Sequence, residues 1–192
     1  MKHFKDIEYI NLILNGDTHA FEQLVDNYKD IVFTLALRML KNREEAEELC
    51  QDTFMKVFKS LSKFKQQSKF STWLYRITYN ACLDKLKGRK GDHQTSELTD
   101  FNNHHLVELN NGLNQLEQRE KKEIVRECLH LLDGEDSYLL TLYYFEEQSV
   151  DEISKMMDWS ASNVKVKLFR SRKKLAAILR MKMEPEEIES YE

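Results

Sequence analysis

A single proline, Pro185, and five glycines are spread over 192 residues. So few turn-formers leave little room for the many reversals of a strand-rich fold, and the chain reads as mostly helical. Cysteine is scarce as well. Cys50, Cys82 and Cys128 are odd in number and far apart, and each adjoins apolar residues. They read as buried free thiols rather than redox groups. No apolar run approaches the length of a membrane span, and the N-terminal MKHFKDIEYINLIL is too charged for a secretory signal. These absences point to a cytoplasmic protein without direct membrane insertion. A Gly-rich phosphate loop, a metal-ligand cluster and a nucleophile motif are also missing, so an enzyme acting on a small-molecule substrate finds little support. The abundant carboxylates read as solvated helix faces. His104 and His105 have no His or Cys at ligand spacing nearby, and they read as a solvated pair. No metal or other cofactor is expected.

What is present is helical periodicity. Phe21, Leu24, Val25, Tyr28, Val32, Leu35 and Met39 recur at three- and four-residue steps, with Asp17 or Thr18 available as a cap. Ala46, Leu49, Cys50, Thr53, Val57 and Leu61 repeat the pattern. Phe70, Trp73, Leu74, Ile77 and Ala81 form a third stripe ending near Gly88. Three such helices can close a small helical domain. The pattern lapses between Gly91 and about Gln118, a stretch rich in Asn, Gln, His and Gly that reads as a linker with weak helical tendency. A second helical block follows. Ile124, Val125, Cys128, Leu131 and Leu132 form one stripe, and Tyr138, Leu139, Leu142, Tyr143 and Phe145 the next.

The segment SVDEISKMMDWSASNVKVKLF reads as helix, tight turn, helix. Ser149 can cap the first helix with Glu152 at the capping-box position. Asp158 occupies the turn, where it tolerates a left-handed backbone. Trp159 can bury itself against the pair, and Ser160 can cap the second helix. On that helix Val164, Leu168, Leu175 and Leu179 form the inward stripe. Lys165, Val166, Phe169, Arg170, Arg172 and Lys173 are left outside. From Trp159 to Leu175 there is no acidic side chain, although the whole chain carries a formal net charge of −4. The whole second helix, expected to be roughly 28 Å long, can lie across a major groove. Its cations, Lys174 included, attract phosphates, and residues near its start, such as Ser162 and Asn163, can reach bases. Phe169 can meet a thymine methyl.

A second cationic stretch, KFKQQSKFSTWLYRITYNACLDKLKGRK at 63–90, interleaves basic residues with Phe64, Phe70, Trp73, Tyr75 and Tyr79. Cations beside aromatics suit single-stranded nucleic acid. Phe70 and Trp73 also lie on the buried stripe. Arg76, Asn80, Asp84 and Lys87 share one polar helix face, and Gln66, Gln67 and Ser68 form a polar turn between Lys65 and Lys69.

EEAEELCQDTFMKVFKSLSKF, then KFSTWLYRITYNACLDKLK, then the terminal helix-turn-helix stand in the order found in bacterial RNA polymerase sigma factors of the extracytoplasmic function (ECF) group, and the chain resembles that family over about residues 9–90 and 115–180. The resemblance implies an all-α fold of two small helical domains. A sigma-two-like bundle would occupy 1–92 and a sigma-four-like helix-turn-helix domain 119–182, with a linker at 93–118 and an acidic tail at 183–192. It implies a non-enzymatic factor that carries core RNA polymerase to promoter DNA and helps to open it, under the control of an anti-sigma factor. Glu48, Gln51 and Asp52 match the segment that docks on the polymerase clamp. The loop Lys63, Phe64, Lys65, Gln66, Gln67, Ser68, Lys69, Phe70 and Ser71 matches the one that captures a flipped minus-ten base. Arg76, Asn80 and Lys87 follow on the adjoining helix. Ser160, Ser162, Asn163, Lys165, Val166, Phe169, Arg170, Lys173 and Lys174 fall on the minus-thirty-five-reading unit. Asp158 departs from the family's usual Gly and Asn163 from its frequent Thr, and apolar Val166 replaces a small polar residue. TWLY has one Trp where primary sigma factors carry an adjacent pair.

An alternative is a helix-turn-helix transcription regulator with a helical sensing or dimerising N-terminal module. It would require a dimer and a ligand pocket or phosphoacceptor, and it would leave residues 63–90 without a role.

Overall fold

The structure is a computed structural model that describes residues 2–89 and 114–188. Among these the regular elements are all helical: α1 (Lys2–Leu14), α2 (Ala20–Leu40), α3 (Arg43–Ser60), a short 3-10 turn (Leu61–Lys63), α4 (Phe70–Arg89), α5 (Asn114–Leu131), α6 (Gly134–Tyr144), α7 (Val150–Met157) and α8 (Ala161–Ile188). The three stripes become α2, α3 and α4. Leu24, Val32 and Leu35 of α2, Ala46 and Val57 of α3, and Phe70 and Leu74 of α4 are fully buried. Burying each large side chain contributes about 1.5–3 kcal/mol before ordering costs are subtracted.

Several expectations needed correction. α2 begins at Ala20 with His19, not Asp17 or Thr18, at its N-cap position, and no side chain caps it. Asp17 Oδ1 accepts from His19 N at 3.1 Å and shapes the preceding turn. α1, absent from the expected set, adds Ile10 and Ile13 to the core. α5 begins at Asn114, within the stretch read as a linker, because Gln, Leu, Glu and Arg are good helix formers. α8 runs on through Ile188 into the acidic run, so its 28 residues span about 42 Å rather than 28 Å. Leu131 and Phe145 are half or more exposed, not core. Leu131 falls one step off the buried row Cys128, Leu129, Leu132. Phe145 lies just past the last turn of α6. His104 and His105 lie outside the described residues.

Two halves pack together. α4 lies along α7, and α2 lies along α6. At Gly134, the first residue of α6, an added Cβ would stand 2.8 Å from the Met39 carbonyl oxygen, so only glycine permits this approach. Gly134→Ala is therefore expected to lower stability by about 1–3 kcal/mol in urea unfolding. A shift below about 0.5 kcal/mol would mean that α2 and α6 do not meet this closely.

Cys82 and Cys128 are buried and Cys50 half-buried, and all three are free thiols. Burial pushes the Cys50 thiol up to about 11 and that of Cys82 up to about 12, which leaves both protonated and inert at neutral pH. No helix among the described residues is long and apolar enough to cross a membrane.

Candidate nucleic-acid interface

α7 and α8 form the expected helix-turn-helix. Ser149 Oγ accepts from Glu152 N at 3.2 Å, and Glu152 Oε2 accepts from Ser149 N at 2.8 Å, completing the capping box. Asp158 takes the left-handed conformation with φ 54° and ψ 43°. Ser160 Oγ accepts from Asn163 N and caps α8. Val164 and Leu168 point inward and are buried. Lys165, Arg170, Lys173, Ser162 and Asn163 are exposed, as are Val166 and, with more than half of its surface free, Phe169. The Lys173 ammonium sits 4.7 Å from the Phe169 ring centroid, so that cation and ring form one exposed pair.

Not every cation of the stretch is free. Lys174 donates to Asp133 Oδ2 at 2.8 Å and to Asp136 Oδ2 at 2.6 Å. Hydrogen bonds to Asp133 and Asp136 hold its ammonium above the usual lysine range. In this arrangement Lys174 fastens α8 to α6 rather than facing phosphate. Arg172 stacks against Tyr143 and Tyr144, 5.3 and 5.4 Å from their ring centroids. Lys167 lies 5.0 Å from the Trp159 centroid and pairs with Glu135 at 3.3 Å. Sequence reasoning missed a further anchor: Ser171, fully buried, donates to Asp136 Oδ1 at 2.6 Å. The signal was available, since Ser171 falls between Leu168 and Leu175 on the inward stripe, where a lone hydroxyl needs an acceptor.

The second surface belongs to the loop before α4 and the outer face of that helix. Phe64 and Phe70 are buried, so both rings hold the loop from within and do not face a strand. Phe70 packs edge-on against Tyr28, with centroids 5.5 Å apart, and against Phe64 at 5.8 Å. Trp73 lies 5.3 Å from Phe64. Lys63, Lys65, Gln66, Gln67 and Lys69 are exposed, whereas Ser68 and Ser71 are partly covered. Gln66 takes φ 57°, a left-handed conformation that turns the loop outward. Arg76, Asn80 and Lys87 are exposed along one face of α4, together with Asp84. Lys69 does not stand alone, because it pairs with Glu152 of α7 at 2.8 Å.

On α3, Asn42 caps the N-terminus by accepting from Glu45 N at 3.0 Å, and Glu44 and Glu45 stand in the first turn, where the helix dipole favours them. Glu48, Gln51 and Asp52 are exposed on one side of the helix, with Glu48 paired to Lys85 of α4. Met55 and Phe58 continue that side as an exposed apolar extension. The described residues thus present an acidic-apolar face on α3, a polar cationic loop beside α4, and a cationic-aromatic helix, α8.

Comparison with known proteins matches the two stretches that carry these faces. Residues 24–91 match the family Sigma-70 region 2, and residues 122–175 match Sigma-70, region 4. The chain is similar to the ECF RNA polymerase sigma factor SigW of Bacillus subtilis, with 29% identity over 180 residues, 89% of this chain and 95% of that protein. It is also similar to the ECF RNA polymerase sigma-E factor of Haemophilus influenzae, with 29% identity over 87% of this chain and 91% of the relative. The fold matches that of the sigma factor RpoE of Bartonella quintana, solved in complex with the anti-sigma factor NepR, at a TM-score of 0.63 and 18% identity, covering 83% of this chain and 96% of that one. The regions stand in sigma-factor order, and the likeness to ECF factors runs through most of the chain: the protein belongs to the sigma-70 family, as an ECF RNA polymerase sigma factor.

Proposed function

We propose that this chain brings core RNA polymerase to its promoters from the cytoplasm, helps to melt them, and carries out no chemistry of its own. The single observation behind this reading is that one chain exposes two different faces, each suited to a different form of nucleic acid. α8 offers a capped helix with Lys165, Val166, Phe169 and Arg170 exposed, suited to a major groove. The loop 65–69 offers Gln66 and Gln67 at a turn flanked by buried rings, suited to an extruded base. Residues 1–92 would serve the polymerase and the minus-ten element, residues 119–182 the minus-thirty-five element. Residues 93–118 would connect them, and the acidic run from 183 would stand apart from both. Phosphate contacts fall to Lys63, Lys65, Lys87, Lys165 and Lys173, which have no carboxylate partner among the ion pairs of the described residues. An anti-sigma factor is the proposed protein regulator. Promoter-specific transcripts should appear when the purified chain is added to core RNA polymerase. A chain that binds duplex DNA as a dimer yet never supports transcription would instead be a helix-turn-helix regulator.

Two residue-level results are expected. Reversing Glu48 and Asp52 together to lysine should slow association with core polymerase about tenfold at low salt, because complementary charge steers docking. Isolated-duplex binding should be unchanged, and titration with labelled core enzyme measures the difference. Arg170→Ala should cost about 1–3 kcal/mol more on the preferred minus-thirty-five duplex than on random DNA if its guanidinium is bidentate to guanine. Equal losses on both duplexes would remove Arg170 from base reading.

A further inference from the structure

The end of α2 gathers positive charge outside both proposed nucleic-acid faces. Arg38 stands in the last turn of that helix, and Lys41 closes it in the left-handed conformation. Both meet the end of α5 and the start of α6. The Lys41 ammonium donates to the His130 carbonyl at 2.5 Å, while Arg38 Nη1 reaches Ser137 Oγ only at 3.5 Å. Arg126, one turn before His130 on α5, is exposed and pairs with Glu123 at 3.3 Å.

Arg38 is the anomaly. It keeps only 9% of its surface exposed, and its Nε is enclosed without a hydrogen-bond partner. Guanidinium groups are rarely enclosed this far without an acid, because the loss of water then goes uncompensated. Among the ion pairs of the described residues none includes Arg38 or Lys41. Asp133 acts on Lys41, but its carboxylate already accepts from Lys174 at 2.8 Å.

The local electrostatics agree. Burial, then Arg126, lowers the Arg38 guanidinium to about 10, and burial, then Arg38, lowers the Lys41 ammonium to about 8. Burial, then Lys41 and Arg38, lowers the His130 imidazole. Each group is disfavoured in its charged form, partly by the others. Helix ends offset only part of this. The carbonyl ends of α2 and α5 carry about −0.5 charge each, roughly enough for one cation. Lys41 takes that place through the His130 carbonyl, and Arg38 is left with a donor and no acceptor. So little of Arg38 is exposed that a protein loop or a nucleic-acid strand does not fit against it. A small tetrahedral oxyanion does, since it accepts from a guanidinium fork and an ammonium at once.

We propose that Arg38, Lys41 and Arg126 form a binding site for a small oxyanion of the phosphate class, either free or as the phosphoryl end of a nucleotide. The ion approaches past the exposed Arg126 and is held by Arg38 and Lys41. This site stands apart from promoter recognition, so a failed transcription assay leaves it intact.

Thermal unfolding of the full chain in sodium phosphate, against sodium chloride and sodium acetate of equal ionic strength, tests this. With a Kd of ~1 mM, phosphate at ~20 mM should raise Tm by about 4–7 °C over chloride. Phosphate also stabilises proteins by exclusion from their surface, and variants separate the two effects. Arg38→Met keeps an apolar stem and removes the buried charge. It should be no less stable in chloride, and its response to phosphate should fall to a quarter or less. Arg126→Ala, at an exposed position, guards against a folding defect and should weaken calorimetric phosphate binding severalfold. Titration with ATP in place of phosphate tells the two sources apart, since the tighter of the two names the ligand. A response to acetate equal to that to phosphate overturns the site. So does a full phosphate response in either variant, or no response in the wild type.

Discussion

Phe70→Ala is expected to lower the unfolding free energy by about 3–5 kcal/mol and to abolish minus-ten-dependent transcription. The ring is fully buried at the start of α4, between Tyr28 of α2, Phe64 at the other end of the loop, and Trp73 one turn on. Truncation removes the centre of that cluster and leaves a cavity that loop and helix can only partly fill. The loss of function would then follow from a misplaced loop, not from a missing DNA contact. Phe70→Leu separates the two explanations. It restores most of the volume, should cost no more than about 1.5 kcal/mol, and should keep base preference at every minus-ten position. Urea unfolding gives the first quantity, and transcription from promoters randomised in the minus-ten element gives the second. A stable Phe70→Leu protein with altered base preference would place the ring against DNA after all.

The second large effect is expected at Asp136. Its carboxylate, buried in the first turn of α6, accepts from Ser171 and Lys174 of α8 at 2.6 Å each. Asp136→Ala should destabilise the C-terminal half by about 2 kcal/mol, since it removes the carboxylate that Ser171 and Lys174 share and leaves the buried hydroxyl only the Lys167 carbonyl, 2.9 Å away. Lys174 is half-exposed and keeps Asp133, so the upper end of the range for buried pairs is not reached. Duplex affinity should fall with stability, because the reading face of α8 is aimed from this anchor. Asp136→Asn can still accept from Ser171 and should lose about half as much. If both variants unfold like the parent while duplex binding is intact, α8 is positioned by its apolar stripe alone.

Much of this was legible in the chain. The helix-turn-helix could be read almost residue by residue, because caps, a left-handed turn residue and a period of 3.6 are local properties. Ser149, Glu152, Asp158 and Ser160 each took the expected backbone role. The exposed groups of the loop and of α4 were equally legible from charge and periodicity. The less legible features depend on residues distant in sequence. Nothing near Lys174 announces Asp133 and Asp136, some forty residues earlier. Nothing in a count of the cations in RSRKK tells Arg172, stacked on Tyr143 and Tyr144, from exposed Arg170. Leu131 looked like core because a stripe read from five residues fits two neighbouring phases. The docking of α6 and the loop after it on α4 is a tertiary choice, joined by tyrosine hydroxyls and the carboxylates of Glu135 and Glu146, which look like ordinary surface in one dimension.

The loop before α4 is held at both ends by rings that never leave the interior, Phe64 and Phe70. Between them are five side chains, Lys65 to Lys69, that the core does not use. Apart from Lys69, which pairs with Glu152, and Gln66, which holds a positive φ, mutations there carry little folding cost, whereas mutations at either ring do. Selection can therefore rewrite this window quickly, while the scaffold on either side changes slowly. Under the base-reading role proposed for this loop, promoter preference could be changed by exchanging these five residues, each step passing through a folded protein.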